Sequence, residues 1–273
     1  NIGIINTGLV GFLLSPEKEY ATLPLSLQFL TLALLLIPVS LLMGKYGRKT
    51  IFILGVISSL IGTLIVAYSI FEKNFLFFIL GSILIGISQA TQQFYRYAAA
   101  DNVPDNFKSK ALSYVISGGL IAAILGPELS KISYNFLTEY LYLATYLIAG
   151  LIQILNLFVL LFLKIPKQEK VVNTRRPLSE ILFKKNLILA VFSAALGYAL
   201  MSFIMTATPI QIVNICKLGN EINANVIQWH VIAMFAPSLF TGQLINRFGN
   251  LNLMTFGIIF YLLSIFFGTI GQT

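Results

Sequence analysis

The sequence predicts an all-α protein, a polytopic bundle of transmembrane helices. Three observations carry that prediction. Hydrophobic residues make up 57% of the 273-residue chain and charged residues only 10%, against about 25% charged in an ordinary soluble domain. The mean hydropathy is +0.86, too apolar for a soluble globule to cover its core with polar surface. The charges are also confined to connectors, which separate uncharged runs long enough to cross a bilayer.

A spanning helix needs roughly 20 apolar residues, because a hydrocarbon core about 30 Å thick is crossed at 1.5 Å per residue. Asn1–Leu14 is apolar but shorter than that, and reads as part of a first helix. No basic segment precedes it, so it is not read as a signal peptide. Uncharged spans follow at Thr22–Met43, Ile51–Phe71, Phe75–Tyr95, Ala111–Pro127 and Tyr140–Leu163. Three more lie at Leu187–Ile210, Ile222–Ile245 and Leu251–Thr273. The alternation typical of barrel strands is absent, so the spans are expected to be helices. The chain stops without a polar flank, and the expectation is a fragment of a longer membrane protein, cut to about nine helices.

Charge distribution orients the spans. The net charge is +8, which in a soluble protein would suggest nucleic acid. Here the basic residues show no interleaving with aromatics, and no nucleic-acid partner is expected. With the connector after Met43 placed inside, the inner connectors hold Lys45, Arg48, Lys49, Arg96, Lys108, Lys110, Arg247 and every basic residue from Lys164 to Lys185. The outer connectors hold only Lys18, Lys73, Lys131 and Lys217. That is the bias of the positive-inside rule. The longest connector, Lys164–Asn186, is basic and contains Pro166 and Pro177. It reads as a cytoplasmic linker (164–186) between an N-terminal bundle (1–163) and the start of a C-terminal one (187–273).

A duplication supports two halves. Lys45-Tyr46-Gly47 follows the second span and Arg247-Phe248-Gly249 the eighth, each after a helix ending inside and before one leading outward. All three positions match at one offset, which indicates a parallel internal repeat. Arg48 and Lys49 extend the first copy, and Asn246 precedes the second.

At these residues the chain resembles the major facilitator superfamily of secondary transporters. The family's loop between helices 2 and 3 reads Gly-x-x-x-Asp-Arg/Lys-Phe/Tyr-Gly-Arg-Arg/Lys. The segment Gly44-Lys45-Tyr46-Gly47-Arg48-Lys49 matches its latter half, and Gly242 through Gly249 its earlier half. Both copies depart at the acidic position, occupied by Gly44 and Asn246. A looser match lies on the fifth span, where Gly118-Gly119 and Gly126-Pro127 resemble the family's helix-5 signature, with Ala122 in place of a further glycine. The resemblance implies two pseudo-symmetric six-helix bundles, a monomer in a bacterial inner membrane, and alternating-access transport of a small molecule. A proton gradient is the implied driving force, with no cofactor. The residues Lys45, Gly47, Arg48, Lys49, Asn246, Arg247 and Gly249 would then govern the conformational equilibrium. Export and import both stay open, as does a rival class, a membrane sensor or structural protein that keeps the fold without transporting.

Polar residues at membrane depth are the candidates for a substrate or proton pathway. Gln89, Gln92, Gln93 and Arg96 are spaced to share one helical face, and Arg96 falls close to an arginine often found on helix 4 of the resembled family. The alternative is a structural network with Arg96 reaching the headgroups. Tyr198, Ser202, Met205 and Thr206 approximate one face of the seventh span, with Met201 close by; they line a pocket or serve as packing. His230, the only histidine, titrates near neutral pH in water and is a candidate proton carrier or a packing residue. Glu128, the one carboxylate close to membrane depth, is a candidate protonatable group for proton coupling or, one turn from Lys131, half of a surface ion pair. One histidine and one cysteine, Cys216, supply no metal cluster. Phosphate loops and nucleophile elbows are also absent, so no enzyme activity is expected.

Overall fold

The computed structural model describes residues 2–101, 103–104, 107–165 and 183–270. Most of the 164–186 linker, with Pro166 and Pro177, lies outside the described residues, as do the side chains of Lys110 and Asn246. Among the described residues the secondary structure is helical, without strands.

The elements are α1 (Ile2–Leu14), α2 (Leu23–Tyr46), α3 (Arg48–Phe71), α4 (Phe75–Gln92) and α5 (Tyr95–Asp101), then α6 (Lys108–Ser133) and α7 (Leu143–Phe162). Beyond the linker come α8 (Lys185–Ile210), α9 (Asn220–Phe235), α10 (Ser238–Phe248) and α11 (Asn250–Ile270). Short irregular helical turns at Lys18–Tyr20 and Gln211–Ile215 join α1 to α2 and follow α8.

Local chemistry explains several ends. Pro24 sits in the first turn of α2, where its missing N–H costs nothing. The Asn74 side chain accepts from the backbone N–H of Leu76 at 3.0 Å and of Phe77 at 3.3 Å, capping α4. Gly47 breaks α2 from α3 with φ 87°, and Gly249 breaks α10 from α11 with φ 78°. Both angles lie where a side chain is disfavoured.

Seven stretches among the described residues are long and apolar enough to cross a membrane. They overlap seven of the eight expected spans, with Lys18–Tyr46 and Leu251–Gly268 as the first and last. Ile222–Ile245 differs: Ala236 and Pro237 break it into α9 and α10, each too short to span alone. Proline lacks the N–H that an unbroken helix would use there. The fifth span also differs, because α6 continues through Pro127 to Ser133 and is not terminated at that proline.

The helices before the linker pack tightly. α3 lies along α4 and α7, and α2 lies along α4. Glycines permit the closest crossings: a Cβ on Gly81 would fall 2.7 Å from the Gly62 carbonyl oxygen, and one on Gly62 would fall 2.8 Å from that of Gly81. Small residues play this part in membrane bundles because apolar lipid offers no hydrophobic drive between helices. Buried polar pairs add specificity. Asn6 of α1 bonds Ser130 of α6 at 2.9 Å, and the Thr7 and Tyr146 hydroxyls lie 3.1 Å apart, tying α1 to α7.

Contacts also join helices on either side of the linker. α6 packs along α9, and α1 along α8. A small apolar core of Ala123, Met205, Ile227 and Val231 fills the junction of α6, α8 and α9.

A polar cavity among the helices preceding the linker

The helices α1, α2, α3, α4, α6 and α7 surround a cavity of about 480 Å³. Its polar wall consists of Gln28 from α2, Ser59 and Thr63 from α3, Gln89 and Gln92 from α4, and Tyr146 and Gln153 from α7. The facing wall is α6, represented by Gly118, Ile121, Ala122, Leu125, Gly126 and Leu129. A volume of this size falls within the roughly 300–1,000 Å³ typical of small-molecule sites. No Asp, Glu, Lys, Arg or His lines it among the described residues.

The wall is positioned by the crossings described above. A Cβ on Gly86 would lie 2.5 Å from the Gln28 carbonyl oxygen, so α2 and α4 meet at the backbone of Gln28. Ser59 and Thr63 are both buried one turn apart on α3, and Thr63 bonds back to the Ser59 carbonyl at 3.0 Å. Gln92 donates to Ser88 at 3.1 Å. In contrast, neither amide atom of the buried Gln28 has a hydrogen-bond partner among the described residues, and nor does the Gln89 Oε1.

The sequence-derived pathway residues separate. Gln89 and Gln92 line the cavity, whereas Gln93 and Arg96 do not. The spacing that would align all four requires an unbroken helix, but α4 ends at Gln92 and the chain turns before α5 begins at Tyr95. Arg96 is exposed, 5.1 Å from the Tyr97 ring centre and 3.5 Å from Gln93 Oε1. Tyr198 lies outside the cavity, edge-on to Phe29 at 6.2 Å. Ser202 accepts at its carbonyl from Thr206 at 2.7 Å, and Met205 belongs to the apolar junction core. His230 is half-buried on α9, its Nε2 without a partner among the described residues.

Of the helix-5 motif, Gly118 and Gly126 line the cavity. Gly119 meets α9 instead, where an added Cβ would come within 2.6 Å of the Phe235 ring. Pro127 is buried beside Gly126. Sequence reasoning passed over Gln28, Ser59, Thr63 and Gln153. The available signal was the amides within otherwise apolar spans, Gln28 alone in its span and Gln153 with Asn156 in the other.

The connector motif forms a second cluster. Arg48 pairs with Asp101 at the end of α5. Lys49 donates to the Leu161 carbonyl at 2.8 Å, placing a cation at the C-terminal end of α7 where the helix dipole favours it. Lys45 lies 5.1 Å from the Tyr46 ring centre and Arg247 lies 5.4 Å from that of Phe248, so the two copies share a cation–ring contact as well as a positive-φ glycine.

At the opposite end of α6, Lys131 donates to Glu128 at 2.6 Å and to Asn225 of α9 at 2.5 Å. The Tyr142 hydroxyl donates to Asn220 at 2.7 Å.

A bundle of apolar helices, a paired glycine turn and a polar cavity at membrane depth define an integral membrane protein. The model described as Major Facilitator Superfamily matches residues 3–272, and the chain belongs to that family, one of transporters and not of enzymes. It is 40% identical over 258 residues to the Riboflavin transporter RfnT of Brucella anthropi, a match that covers 92% of this chain and 64% of the relative. It is 28% identical over 272 residues to the Uncharacterized MFS-type transporter YdeG of Bacillus subtilis, covering 91% of this chain and 61% of that protein. The chain thus spans less than two thirds of the length of these curated relatives. No solved structure matches it with significance.

Proposed function

We propose that the protein is a secondary transporter that moves a small uncharged molecule by alternating access, with riboflavin as the first candidate substrate. The observation that carries this reading is the amide-rich cavity of about 480 Å³ among α1–α4, α6 and α7, with no charged side chain in its lining among the described residues. The 40% identity to a riboflavin transporter supports the choice of substrate. In this reading residues 1–163 act as one bundle and 187–273 begin a second, joined by a cytoplasmic linker in the inner membrane of a bacterium. The glycine-turn motifs at Gly47 and Gly249 set the balance between inward- and outward-facing states, and a proton gradient drives the cycle.

The test is growth and uptake in a riboflavin-auxotrophic bacterium that lacks its own transporter and expresses the complete polypeptide. Saturable uptake of labelled riboflavin, with growth at low external riboflavin, is the expected result. No uptake above the empty vector overturns riboflavin import. Uptake that persists after a protonophore collapses the gradient overturns proton coupling alone.

A further inference from the structure

Gln28 is 1% exposed, and it forms part of the cavity wall. Neither its Nε2 nor its Oε1 has a hydrogen-bond partner among the described residues. Leaving a buried amide unsatisfied is costly, and both ends of one amide are rarely left so in a folded protein. The Gln28 backbone is held where α2 crosses Gly86 of α4, which restricts how far the side chain can retreat. On α4, the Gln89 Oε1 is a second buried acceptor in the same wall without a partner among the described residues.

A donor and an acceptor at the fixed spacing of one carboxamide complement a cyclic imide edge, in which a ring carbonyl and an N–H lie side by side. The absence of a charged side chain in the wall, among the described residues, favours an uncharged ligand and disfavours a phosphorylated one, which would lose its hydration without gaining a counter-charge.

We propose that Gln28 is a specificity-determining residue that reads the imide edge of an uncharged planar heterocycle. Its Nε2 donates to a ring carbonyl and its Oε1 accepts the imide N–H. Gln89 Oε1 accepts from a hydroxyl or N–H elsewhere on the same molecule. This rests on the reading of the protein as a flavin transporter and adds the chemical group by which the substrate is selected.

The experiment measures uptake of labelled riboflavin by cells expressing the complete polypeptide, with unlabelled riboflavin, 3-methylriboflavin and flavin mononucleotide as competitors. In 3-methylriboflavin the imide N–H is replaced by N–CH₃, so one hydrogen bond is removed and a methyl group is added at that edge. The wild-type protein should prefer riboflavin over 3-methylriboflavin by about tenfold or more, as expected when a buried acceptor loses its donor. Flavin mononucleotide should compete no better than the methylated compound. Gln28→Leu should lower riboflavin affinity by about tenfold and abolish the preference, while its uptake of 3-methylriboflavin reports that the variant is folded.

Equal competition by riboflavin and 3-methylriboflavin in the wild type overturns the inference while leaving riboflavin transport standing, as does a preference retained in Gln28→Leu. If Gln28→Leu transports neither compound, Gln28→Met is read in the same way, and the wild-type competition decides by itself if that variant also fails. A wild type that takes up no riboflavin overturns the transport reading and this inference with it.

Discussion

Gly47 and Gly249 occupy the same turn in two copies of one motif, with φ of 87° and 78°, each following an aromatic residue that faces a cation. The backbone thus repeats where the side chains only partly do. Replacing either glycine with Ala should lower the midpoint of thermal unfolding in detergent, at a cost of about 1–3 kcal/mol, because a Cβ is disfavoured at positive φ and Gly47, with ψ 150°, lies in a region held essentially by glycine. Gly44→Ala is the control. Gly44 lies in α2 with nothing within 4 Å of an added Cβ, and Ala there should be neutral or stabilising. A Gly47→Ala midpoint equal to that of Gly44→Ala would refute the strain argument.

Arg48 and Asp101 form an ion pair from the start of α3 to the end of α5. The acidic position of the connector motif is Gly44, so Asp101 supplies a carboxylate from a different helix. The side chains are 15% and 36% exposed, and screening limits the pair to about 1 kcal/mol. Arg48→Gln should therefore lower the transport rate by roughly fivefold and leave substrate affinity nearly unchanged. The reciprocal exchange Arg48→Asp with Asp101→Arg should recover part of the rate. An equal fall in rate and affinity for Arg48→Gln would count against a conformational role.

Gly118 and Gly119 are adjacent on α6 but should respond oppositely to Ala. A Cβ on Gly118 meets nothing within 4 Å, whereas one on Gly119 meets the Phe235 ring at 2.6 Å. Gly119→Ala should displace Phe235 beside the Ala236–Pro237 break and cost about 1–3 kcal/mol. Membrane yield and thermal midpoint of the two variants check this. Equal stability would show that α9 yields to the methyl group.

These contrasts bear on what the sequence discloses. Spans were legible because exclusion of charge from the bilayer is a one-dimensional constraint, written along the chain as uncharged runs. Gln89 and Gln92 were legible because three residues make nearly one helical turn. Gln93 and Arg96 were grouped with them only on the assumption that the helix continues. Neither Gly nor Pro marks the turn after Gln92, so the sequence carries no local signal for the end of that helix. Gln28 was less visible still. A single amide in an apolar span carries no spacing pattern, and its place in the same wall as Gln89 follows the α2–α4 crossing at Gly86. The break in the eighth span is the reverse case, since Pro237 stands plainly in the sequence while hydropathy runs through it.

Lys131 ties α6 to α9 across the linker-separated parts of the chain. Its ammonium donates to Glu128 on its own helix and to Asn225 on α9. Its side chain is 17% exposed, so the bond to Asn225 is partly shielded from water. If the two parts move against each other during transport, this contact stabilises the state seen here relative to one in which α6 and α9 separate. Lys131→Met keeps much of the side chain's length and removes the donor. The variant should move the population toward the separated state by about 1–1.5 kcal/mol, a five- to tenfold change in the ratio of states. Asn225→Ala should move it in the same direction, and the double variant should add little, because both changes break one bond. Spin labels on α6 and α9, read by pulsed distance measurement in lipid nanodiscs, report the populations directly. Additive shifts in the double variant would show that Lys131 and Asn225 act through separate partners.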